Sequence, residues 1–133
     1  SERTRTRVHE GIKRVAEGVA AAHETVGDVQ VTFGYPVTVN DDDFAAFTAG
    51  VARDLLGETN VTPLRMPIMG AEDWSYVLQQ VPGSMAFLGA MPQGVAHDQV
   101  HPNHSNRVLY DEAAMVQGMA TYAAVALRHL SRG

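Results

Sequence analysis

The sequence of 133 residues contains no cysteine. That excludes a disulfide framework and any thiolate metal ligand, and it suits a reducing cytoplasm. No apolar run approaches the roughly 18 residues of a membrane span, and the polar start SERTRTRVHE is not a signal peptide, so no membrane partner is expected. Positive charge is also scarce: the formal net charge is -5, which leaves no basic face for a phosphate backbone and argues against nucleic acid. A G-x-S-x-G elbow and a glycine-rich phosphate loop are missing as well. Ser75 and Ser105 carry no cue for a base and an orienting acid. The absent Met start and the immediate entry into a helical pattern suggest a piece of a longer chain.

What is present suits a compact domain with a buried core, since 45% of the residues are hydrophobic and 19% are charged. Between Arg5 and His23, Val8, Ile12, Val15, Val19 and Ala22 recur at helical spacing and predict an amphipathic helix with that stripe inward. After Gly27-Asp28, the alternation of Val29, Val31 and Phe33 with Gln30 and Thr32 predicts a half-buried strand, ended by Pro36. Asn40 is the expected N-cap of a second helix, with Asp41, Asp42 and Asp43 at its positive end, Phe44, Phe47, Val51 and Leu55 on its buried face and Gly57 as its stop.

Further along, NVTPLRMPIMG reads as a short strand interrupted by proline. GAEDWSYVLQQVPG reads as a helix from Ala71 or Glu72 to Pro82, and SMAFLGA as a fully buried strand. DEAAMVQGMATYAAVALRHL predicts a last helix of about twenty residues, whose face of Met115, Met119, Tyr122, Ala123, Ala126, Leu127 and Leu130 is of the kind that covers a sheet. Alternating helices and strands argue for an α/β layer structure. The connection GYPVTVN suggests a domain boundary, dividing residues 1–36 from 37–133.

Three histidines, His97, His101 and His104, lie within eight positions of one another in a polar stretch, and imidazole is a common ligand of divalent metals. One reading is a self-contained three-histidine metal site held only by loop scaffolding, and another is three solvated side chains. A third gives weight to His104 alone, because it would lie where a strand, a loop and a helix start converge, as ligands do in open α/β folds. Gly70 could let the backbone turn or approach a ligand. Glu72 and Asp73 put two carboxylates at a helix start, where capping competes with chemistry and is favoured for Asp73.

The segments NDDDFAAFTAGVARDLLGE, PIMGAEDWSYVLQQVPGSMAFLGA and HPNHSNRVLYDEAAMVQGMATYAAVALRHL resemble, in order and spacing, the C-terminal third of a family of metal-dependent amidohydrolases. These include hippurate hydrolase, N-acyl-amino-acid amidohydrolase and auxin-conjugate hydrolase, relatives of aminoacylase and carboxypeptidase G. The resemblance implies a two- or three-layer catalytic α/β domain carrying two divalent ions, zinc, manganese or similar, with an inserted lid and dimerisation domain. Residues 1–36 match the last helix and strand of the insert, and 37–133 the end of the catalytic domain.

By the same resemblance His104 matches a metal ligand, His97 and His101 match none, and Gly70, Glu72 and Asp73 lie near the cleft. The remaining ligands and the general base belong to the preceding two-thirds of such enzymes, so no catalytic residue is expected here, nor tight metal binding. The implied function is hydrolysis of the amide bond of N-acyl amino acids or small peptides by a metal-activated water, with this chain inactive alone. The alternatives are a stand-alone, non-catalytic α/β dimerisation module and a small metal-binding protein built on the histidine loop. Unpaired strand edges and apolar faces predict a homo-oligomer, formed by the Arg5–His23 helix or by the edge of Val29–Phe33.

Overall fold

The computed structural model describes residues 1–132. It contains four α-helices: α1 (Glu2–Ala22), α2 (Asp42–Leu56), α3 (Trp74–Leu78) and α4 (Ala114–Leu130), with short 3-10 turns at Glu58–Asn60 and His97–Gln99. The residues fall into two compact units, Ser1–Val39 with Pro67–Pro82, and Asn40–Met66 with Gly83 onward.

In the first unit α1 begins three residues before the predicted start, because Ser1 caps it by accepting the Thr4 N–H and Glu2 occupies the positive end. Beyond the helix, Thr25 donates its N–H and its hydroxyl to the Ala20 carbonyl. Gly27 then passes so close that an added Cβ would lie 3.2 Å from the Ala20 methyl. The chain returns along α1, where Arg5 donates to the carbonyls of Gly34 at 2.7 Å and Tyr35 at 3.0 Å, and His9 meets Phe33 edge-on at 4.6 Å. This return covers the side of α1 that carries Arg5 and His9. The predicted inward stripe is left open, with Val8, Ile12, Val15 and Val19 half exposed or more and no α1 residue buried.

In the second unit Asp41, not Asn40, caps α2, accepting the Phe44 N–H at 2.8 Å. Asn40 instead reaches Met85, and the Asp41 N–H donates to the Gly83 carbonyl. Gly57 stops the helix as expected, at φ 93°. Helices α2 and α4 pack together. Phe44 and Phe47 of α2 gather around His129 of α4, the Arg132 guanidinium lies 3.8 Å over the Phe47 ring, and Arg128 pairs with Asp54.

Further expectations are corrected. Among the described residues there is no β-strand, so none of the three predicted strands forms here. A strand exists only by pairing, and Val29–Phe33, the run after Asn60 and Ser84–Ala90 find no ladder partner. SMAFLGA is not fully buried either: Phe87 is 58% and Leu88 48% exposed. Helix α3 spans five residues where a longer helix is predicted, and α4 starts at Ala114 after a turn in which Asp111 accepts the Ala113 N–H. The core is small, since Val51 and Ala114 are the buried hydrophobic residues among those described.

Candidate functional site

The stretch that holds the three histidines is built from turns. The Ser105 N–H donates to the Pro102 carbonyl, the Val108 N–H to the Ser105 carbonyl, and the Arg107 N–H to the Ser105 hydroxyl. The Tyr110 hydroxyl contacts Asn103 Oδ1 at 3.2 Å, which ties the loop to the segment leading into α4. At the centre of these contacts His104 has φ 70°. A left-handed backbone is costly for a residue with a Cβ, and the flanking turns hold it there. The only other non-glycine residue of this kind among those described is Glu24, just past the end of α1.

His97, His101 and His104 are all exposed. Among the described residues no three His, Asp or Glu side chains gather into a group able to hold a metal ion, so the self-contained three-histidine site is not formed. A metal would find in this chain at most part of its coordination shell.

The other candidates lie in the first unit. Gly70 does not have a positive φ, and an added Cβ would meet only the Ile68 side chain, at 3.9 Å, so neither a left-handed turn nor crowding requires glycine there. Glu72 is half-buried and Asp73 exposed. Asp73 occupies the cap position of α3, but its side chain makes no capping bond, which corrects the capping expectation. The Glu72 carbonyl accepts from both the N–H and the hydroxyl of Ser75. Ser75 is fully buried, and its hydroxyl is committed to that bond.

Two features of the first unit carry no motif. One is a groove of 390 Å³ lined by Ser1, Glu2, Val37, Val39, Ser75, Leu78 and Gln79. The other is His9, whose Nδ1 is buried without a partner beside the Phe33 ring, over which the Arg5 guanidinium lies. Both depend on how α1 meets the returning chain, which no local pattern encodes.

This chain is similar to several curated hydrolases. It is 35% identical over 97 residues to "IAA-amino acid hydrolase ILR1-like 6" of Arabidopsis thaliana, covering 73% of this chain and 20% of that protein. It is 32% identical over 108 residues to N-acetyldiaminopimelate deacetylase of Leuconostoc citreum, covering 80% of this chain and 26% of that protein. With hippurate hydrolase of Campylobacter jejuni the identity is 25% over 127 residues, 96% of this chain and 31% of that protein. The chain therefore spans between a fifth and a third of the length of these relatives. No solved structure matches it. Residues 6–128 match the description of peptidase family M20/M25/M40, and the chain belongs to that family.

Proposed function

We propose that this chain is the C-terminal, metal-ligating part of an amidohydrolase acting on N-acyl amino acids or small peptides. The observation that carries the reading is the family match across residues 6–128, within which His104 sits at a strained position in a turn-built loop. Relatives whose names include amino acid hydrolase, deacetylase and hippurate hydrolase support the substrate class.

The ions of such enzymes supply, when bound, an acidified water and charge for a developing oxyanion. This chain contributes His104 as a neutral imidazole ligand, with the turns around Ser105 and the Tyr110–Asn103 contact fixing where the ring is presented. Glu72 and Asp73 are proposed to border the cleft. Zinc and manganese are the candidate ions and the cytoplasm is the proposed compartment, which a cysteine-free sequence suits. Among the described residues no helix is long and apolar enough to cross a membrane. The open apolar faces of α1 and α4 favour a homo-oligomer.

The test is hydrolysis of N-acetyl and N-benzoyl amino acids, with zinc or manganese added, by this chain alone and by a longer protein that contains it. Turnover is expected only in the longer protein, and His104→Ala there should lower metal occupancy and rate by orders of magnitude while His97→Ala does little. Equal effects of the two substitutions, or turnover by the chain alone, would overturn the reading.

A further inference from the structure

We draw no further inference here: the strongest candidate, the exposed surface patch of Arg3, Arg7 and Arg14 on the polar side of α1, has Glu10 on the same side, and nothing in the structure shows what covers it.

Discussion

The side chain of Asn40 holds both backbone groups of Met85, accepting from its N–H at 2.9 Å and donating to its carbonyl at 3.2 Å. The carboxamide thus does for Met85 what a neighbouring strand would do. Asn40→Ala removes both bonds and should lower stability by about 1 kcal/mol, the net worth of such contacts where water can replace them. Urea unfolding followed by circular dichroism checks the loss, and an Asn40→Ala variant as stable as the original would contradict it.

Asp41 is the residue whose side chain starts α2. Asp41→Ala should cost about 1 kcal/mol, while Asp41→Ser retains an oxygen for the Phe44 N–H and should lose much less. The same unfolding experiment separates this cap from the Asn40 contact, because Asn40 makes no bond to α2.

His104 is expected to show a conflict between stability and chemistry. Its left-handed backbone suits glycine, so His104→Gly should leave the chain as stable as before or more stable by up to about 1 kcal/mol. His104→Ala keeps the strain and should bring no such gain. In the longer protein both should lose metal. Marked destabilisation by glycine would show that the imidazole itself holds the loop.

Two glycines should respond oppositely. At Gly27 an added methyl meets Ala20 Cβ at 3.2 Å and the Ala16 carbonyl oxygen at 3.5 Å, so Gly27→Ala should destabilise the first unit by about 1 kcal/mol or more. At Gly70 the nearest atom is 3.9 Å away, and Gly70→Ala should be tolerated. Thermal unfolding of the two variants side by side tests the contrast.

Helices were legible wherever caps and spacing sufficed. The aspartate run starts α2 and Gly57 stops it, both through hydrogen bonds or dihedral preferences spanning a few residues. The choice between Asn40 and Asp41 was not legible, because both are good caps and only the proximity of Met85 draws Asn40 away. The strands failed for a related reason. Val29–Phe33 and SMAFLGA have the right side chains, but pairing needs a second strand at a fixed distance, and none of the described residues supplies one.

The histidine loop divides in the same way. Composition marked His97, His101 and His104 alike, and the place before the last helix, together with the resemblance, gave weight to His104. Its left-handed backbone emerged only from the turns that Pro102, Ser105 and Tyr110 build around it. Periodicity likewise located the apolar stripes of α1 and α4 and could not say whether anything lies on them. Local order needs only neighbours along the chain, so residue type and spacing settle it: where α1, α2 and α4 run, and which of their faces are apolar. Burial and pairing depend on elements distant in sequence, and here the fold covers the Arg5 side of α1 and the small-residue side of α4 while leaving the larger apolar faces open.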